Sequence, residues 1–189
     1  MDGRSRGFNG VGKYMLDAIE TIMSRTSVRK FREKPIDNTV LETILRAGTS
    51  GPSCVDARDW SFIVVRNRKK LIQMADANGS PAEPLKGAAL GVLVCGDLER
   101  AFTQAKDYWV IDCSIAAQNM TLAAQALGIG SVWLGTWPQM ERVERQRQIF
   151  ALPEHIVPHS ILAFGYPAMD ANLTPKDSWE PNRVHYEEW

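Results

Sequence analysis

Apolar residues recur at helical spacing near the start of the chain, where Met15, Ile19, Ile22 and Met23 share one face of Tyr14 to Ser24. A first helix is expected there, ending just before the basic run RTSVRKF, Arg25 to Phe31. Pro35 interrupts, and Asp37 is placed to cap a second helix with Val40, Leu41, Ile44 and Leu45 as its buried stripe and Gly48 as its stop. A loop, Gly51 to Asp59, leads to a first strand over Trp60 to Val65, rich in aromatic and β-branched residues. Arg68 to Ala75 reads as a short helix and Asn78 to Pro84 as loop. Ala89 to Cys95 is apolar on both faces, as a central strand must be. Asp107 to Leu127 is the strongest helical pattern, apolar nearly all round, and therefore needs burial in a core or a subunit interface. Gly128 stops it, and Ser131 to Leu134 follows as a third strand. Pro138 suits the first position of another helix, with Met140, Val143 and Phe150 turned inward. Ser160 to Phe164 is the fourth strand. Ala168 to Trp189 has no helical period but carries two prolines and two tryptophans, the pattern of an arm packed on another surface, such as a partner subunit.

A length of 189 residues suits one domain, expected over residues 14–189 after a flexible lead-in at 1–13. Hydrophobic residues at 44% and charged residues at 23% are a globular mixture, which excludes a mainly disordered chain. The formal net charge is zero, which argues against a nucleic-acid partner while leaving room for a local phosphate site. Cys54, Cys95 and Cys113 are odd in number and widely spaced, with no CxxC, so reduced thiols in a cytoplasmic protein are expected. No run approaches the roughly 20 apolar residues of a membrane span, and the N-terminus lacks the apolar segment of a signal peptide.

Several familiar sites are missing. The nearest approach to a dinucleotide-binding glycine motif, GIGSVWLG, follows a helix and enters a strand, the reverse of what a pyrophosphate cradle requires. There is no P-loop and no GxSxG elbow. His155 and His159 lack companion ligands, so no metal is expected. The informative unit is RTSVRKF. Arg25, Ser27 and Arg29 alternate, so an extended backbone projects two guanidinium groups and a hydroxyl to one side. Such a face can hold a phosphate and, further along, the polar edge of a heterocycle.

Four segments in order resemble the nitroreductase family. They are Arg25, Thr26, Ser27, Arg29 and Phe31 after the first helix; Pro52, Ser53 and Trp60 before the first strand; the alanine-rich helix and GIGSVWLG from Asp112 to Gly135; and LPEHIVPHSILAFGYP. The resemblance spans about Met15 to Trp189. It implies an α+β, three-layer α/β/α fold with a central mixed sheet flanked by helices, in an intertwined homodimer with a C-terminal arm. It also implies FMN as cofactor, held at the dimer interface. Hydride would pass from NADH or NADPH through flavin N5 to nitroaromatic, quinone or flavin-type acceptors by a ping-pong mechanism. No catalytic protein residue is implied, because the cofactor carries the chemistry. The alternative is a non-enzymatic FMN-binding redox sensor or carrier on the same fold.

Carried over by position, the resemblance assigns Arg25, Thr26 and Ser27 to the phosphate and ribityl chain, and Arg29 to the N1–C2=O edge of the flavin. Pro52, Ser53 and Cys54 would meet the ring from the other subunit, with Asp56 in the slot where the family has asparagine. Trp133, Leu134 and Gly135 would line the ring, and Asn78 is a candidate for the pyrimidine edge. Lys176 and Arg183 would complete the phosphate site. Three departures from the family pattern stand out. Asp56 cannot donate as an amide does, Arg58 and Asp59 stand in a glutamine-proline slot, and Ser178 stands where a second cation is common. Trp109 and Trp137 are read either as a substrate lid or as packing.

Overall fold

The computed structural model describes residues 17–189; the expected lead-in and the first turn from Tyr14 lie outside them. Helix α1 covers Ala18–Ser24, and the Asp17 carboxylate caps it by accepting from the Glu20 N–H at 2.8 Å. Helix α2 covers Asn38–Gly48. Asp37 holds the capping position, yet its side chain makes no capping bond, and the helix runs through Gly48 rather than stopping before it. Strand β1 is Trp60–Val65, as its aromatic and β-branched run predicts. Helix α3 is longer than expected, Arg68–Asn78, because the Asn67 side chain caps its start and Gly79 at φ 84° ends it. The expected loop after it is largely a 3-10 helix, Ser80–Gly87.

Strand β2 is Leu90–Asp97, helix α4 Tyr108–Ala126 and strand β3 Gly130–Gly135. Helix α5 is Met140–Phe150. Pro138 therefore falls in the preceding turn, after a cis peptide bond, and not at the first helical position. Val143 points inward as expected, but Met140 is 58% exposed. Strand β4 is Ile156–Gly165, twice the expected length. The reason is a bulge. Val94 pairs with Ser160 and Cys95 with Pro158, which leaves His159 unpaired and breaks the period-two pattern.

The sheet order is β1-β2-β4-β3, and every neighbouring pair is antiparallel. The parallel component of the expected mixed sheet is confined, among the described residues, to the single bridge between Ser27 and Ser131. The two inner strands, β2 and β4, are almost wholly buried. Two cores lie on opposite faces. On one, Leu90, Val92, Leu162 and Phe164 meet α4 and, behind it, Ile44 of α2. On the other, Leu93, Cys95, Ile161 and Ala163 meet Leu71, Met74 and Leu85. The architecture is thus α+β in three layers.

Helix α4 explains its own composition. Cys113, Ala116, Ala117 and Ala124 are buried, and their small size lets the helix lie close to its neighbours, while the Met120 side chain lies against Gly48 of α2. Its opposite side leaves Tyr108 and Ile111 exposed, at 44% and 53%. No helix among the described residues is long and apolar enough to cross a membrane.

Candidate functional site

The RTSVRKF run is extended and docks on the sheet edge. The Val28 N–H donates to the Ser131 carbonyl at 2.8 Å, and Phe31 bridges to Pro167. Two glycines permit this approach. A Cβ at Gly130 would sit 2.9 Å from Val28, and one at Gly165 would sit 2.7 Å from Phe31. Val28 is consequently buried at 2% exposure, and the alternating Ser27 and Arg29 are turned the other way. The same segment seats the C-terminal arm. The Arg32 N–H donates to the Tyr166 carbonyl, and the Ala168 N–H donates to the Lys30 carbonyl.

Segment and arm together enclose a cavity of about 550 Å³. Arg25, Thr26, Ser27 and Arg29 line one side, and Lys176 enters from the arm. Three cations face one carboxylate, Asp177, a net of two positive charges. The apolar part of the wall comes from Ile22 and Met23 of α1 and from Trp179. The volume lies within the range of small-ligand pockets, and the donor set suits an anionic group attached to an apolar body. The cavity therefore fits a flavin mononucleotide in both charge and chemistry.

Sequence reasoning missed several parts of this cavity. Asn172, Thr174, Ser178 and Trp179 belong to an arm with no periodic pattern, and only the unexplained tryptophans marked it. Ser178, noted as a departure, does line the cavity as a neutral hydroxyl. Arg183 does not line it; its guanidinium pairs with Glu180 at 2.5 Å.

The remaining candidates lie elsewhere. Asn78 is fully buried, donates to the Gly135 carbonyl at 3.0 Å and accepts from the Thr136 hydroxyl at 2.9 Å. One amide N–H and the carbonyl thus tie α3 to the end of β3, and the side chain lies outside the cavity. Gly135 is exposed, and open space lies where a Cβ would be. Trp133 is half-buried on the α4 face, whereas the Leu134 side chain sits in the opposite core and can offer a site only its backbone. Trp109 is 3% exposed and packs edge-on against Trp137 and His159, so it is a core residue and not a lid. Burial pushes His159 down to about 4, keeping it neutral.

Pro52, Ser53, Cys54 and Asp56 form a tight turn before β1, outside the cavity. The Arg58 guanidinium grips both Asp56 oxygens, at 2.7 and 2.8 Å, and holds that carboxyl below its usual range. This exposed pair engages both carboxylate oxygens. The Cys54 N–H instead donates to Asp112 of α4, 3.0 Å from each carboxylate oxygen. All three thiols are free. Burial raises Cys95 to about 12 and raises Cys113 as well, so both stay protonated and inert.

A model of the Nitroreductase family matches residues 22–98 and 82–166. A protein of Methanothermobacter thermautotrophicus named "Putative NADH dehydrogenase/NAD(P)H nitroreductase" is 41% identical over 174 residues, covering 92% of this chain and 88% of its own. A solved structure under the same name from Parabacteroides distasonis superposes with a TM-score of 0.85 at 37% identity, covering 92% of this chain and 99% of that one. An FMN-dependent nitroreductase from Clostridium difficile gives a TM-score of 0.82 at 27% identity, covering 90% and 99%. With the three-layer fold and the cationic cavity, these matches establish that the chain belongs to the nitroreductase family.

Proposed function

We propose that the protein is an FMN-dependent NAD(P)H oxidoreductase that works as a homodimer and reduces nitroaromatic, quinone or flavin-type acceptors. The observation that carries this reading is the cavity where Arg25, Arg29 and Lys176 converge beside an apolar wall. Relatives named for NAD(P)H nitroreductase and NADPH-flavin oxidoreductase activity support it.

FMN, when bound, supplies the hydride-transfer chemistry. The chain's own residues do the rest. Arg25 and Lys176 hold the near-dianionic phosphate, with Thr26 and Ser27 adding hydroxyl donors. Arg29 places a permanent positive charge at the polar edge of the ring and favours the reduced, more anionic flavin. Trp133 and the exposed backbone of Gly135 provide a wall with room above it. The turn at Pro52 to Cys54 meets the ring bound by the partner. One open cleft serving donor and acceptor in turn gives ping-pong kinetics and little selection among acceptors.

Dimerisation is supported by apolar surface that a lone subunit leaves in water. Ile19 and Met23 of α1 are each 70% exposed, and Tyr108 and Ile111 of α4 add to them. The test is an absorbance spectrum of the protein saturated with FMN, before and after anaerobic NADPH or NADH. A flavin band near ~450 nm that bleaches on addition is expected, since the hydride chemistry resides in the cofactor. A bound flavin that stays oxidised would favour the sensor or carrier reading. Failure to bind FMN would remove the proposal.

A further inference from the structure

The turn that precedes β1 rests on two buried acids that the flavin chemistry does not use. Asp59 and Asp112 are 0% and 2% exposed. Among the described residues, neither oxygen of Asp59 has a hydrogen-bond partner of good geometry; its own backbone N–H is the nearby donor and offsets only part of the effect of burial. The group facing it within hydrogen-bonding reach is the Asp112 carboxyl. Two carboxylates cannot bond to each other, and two buried negative charges side by side repel strongly in a low-dielectric interior. A single proton between them removes both faults.

Other nearby charges do not offer an alternative. From α4, only Asp112 and the neutral Cys113 thiol face Asp59. From the end of β2, Asp97 adds a third negative charge, while its N–H donates to the Asp59 backbone carbonyl. From the turn itself come the Cys54 thiol, raised chiefly by burial, and Arg58, whose guanidinium is spent on Asp56. Arg100, beyond β2, donates to the carbonyls of Ala57 and Arg58 and not to a carboxylate.

The turn also stores strain. Val55, Asp56 and Arg58 all adopt left-handed backbone angles, at φ 48°, 58° and 50°. For β-branched Val55 in particular this conformation is costly, and it persists only where surrounding contacts enforce it. The enforcing contacts are the Cys54 N–H on Asp112 and the Arg58 N–H on the Ser53 hydroxyl.

We propose that Asp59 and Asp112 share one proton, and that this acid pair is the positioning device that seats the strained Ser53–Arg58 turn, so that the turn's seat depends on pH. The proton of the Asp59 carboxyl is donated to Asp112, which keeps one negative charge to receive the Cys54 N–H. Loss of the proton sets two like charges against each other beneath a strained turn, and the turn loosens. Its consequence for flavin binding rests on the reading given above, in which this turn meets the ring. Burial and the Asp112 charge raise Asp59 to about 6, which places the release near neutrality.

The test uses the full chain, ¹³C-labelled at aspartate carboxyls, titrated by NMR without flavin, alongside FMN and riboflavin affinities from pH 5 to 8 for wild type and Asp59→Asn. The asparagine amide donates permanently to Asp112 and so mimics the protonated pair. Expected are a coupled two-step titration with the upper step near 6, absent in Asp59→Asn. Wild-type affinity relative to that variant should fall by roughly tenfold between pH 5.5 and 7.5, as a tenfold-per-unit proton equilibrium allows. The ratio cancels the phosphate's own titration, and riboflavin should show the same ratio. Independent carboxyl titrations near 4, or parallel affinity profiles for the two proteins, would overturn the proposal. Coupled titration with no flavin binding would uphold the acid pair but remove its link to flavin along with the oxidoreductase reading. Flavin binding with ordinary carboxyl titrations would remove the acid pair alone.

Discussion

Arg25→Ala tests the cavity's charge logic most directly. The wall presents Arg25, Arg29 and Lys176 against Asp177, a net of two positive charges for a phosphate of nearly two negative ones. None of the three cations is within ion-pair distance of a carboxylate of the described residues, so all are available to a ligand. A charge-assisted hydrogen bond contributes about 1.5–3 kcal/mol. Arg25 is half-buried in an open cleft, so solvent screening keeps the value toward the lower end, about 1.5–2 kcal/mol. At about 1.4 kcal/mol per tenfold, FMN binding to Arg25→Ala should weaken by roughly 10- to 30-fold. Riboflavin lacks the phosphate and should lose less than about twofold, since no charged contact disappears. Quenching of flavin fluorescence measures both constants, and the FMN loss should shrink as salt is raised. Equal losses for the two ligands would show that Arg25 does not address the phosphate, and no loss for either would remove this cavity as the flavin site.

Three further outcomes can be measured. Asp59→Asn should raise stability at pH 7.5 by up to about 3 kcal/mol, because a carboxyl raised to about 6 from an unfolded value near 4 loses stability as pH rises between them. That gain should vanish below about pH 3, where wild type is protonated in both states, and thermal unfolding across pH would reveal a constant offset instead if the acid is not titrating. Gly96→Ala would place a Cβ 2.3 Å from the Trp109 ring and should cost about 1–3 kcal/mol, or roughly 2–12 °C in Tm for a chain of this size. In a Trp109→Leu background the cost should largely disappear; an undiminished cost would mean that the clash lies elsewhere. Asn78→Ala strands the Gly135 carbonyl and the Thr136 hydroxyl, and a Tm unchanged to within a degree would contradict an expected loss of about 1–3 kcal/mol.

What the sequence disclosed and what it concealed follow one physical line. Elements whose pattern is set by a single burial condition were legible: β1 at Trp60–Val65, β2 from its unbroken apolar run, and α4 from its small residues. The first half of β4 was hidden because the bulge at His159 shifts the side-chain alternation, which no fixed period can follow. The structural ties of Asn78 were hidden because a lone polar residue ending a helix gives no sign that Gly135 and Thr136, far along the chain, will bond its side chain. In the cavity, the alternating Arg25, Ser27 and Arg29 could be read because they share one extended segment. The arm's share could not, since Asn172, Thr174 and Trp179 are placed by the chain's return past Tyr166 and Ala168.

The departures from the family pattern all lie outside the sheet and α4. Asp56, Arg58 and Asp59 lie on the strained turn before β1, and Ser178 lies on the arm; none is in the sheet or in α4. The frame that fixes RTSVRKF, namely the Ser131 carbonyl, the close approach at Gly130 and Gly165, and the inner strands, is independent of them. Change on the turn can therefore alter how a bound ring is covered and how its pocket responds to protons without moving Arg25 and Arg29, whereas Ser178 leaves Lys176 as the arm's one cation in the cavity lining. The Asp56–Arg58 pair illustrates this division. It engages both oxygens of a carboxylate that cannot donate, on the exposed side of the turn, while Asp59 faces inward to Asp112. One short turn thus converts a slot built for neutral side chains into an ion pair outside and an acid pair inside. The part of the site built on Arg25, Ser27 and Arg29 should accordingly behave like that of its relatives, and what distinguishes this protein should appear in the pH response of the turn.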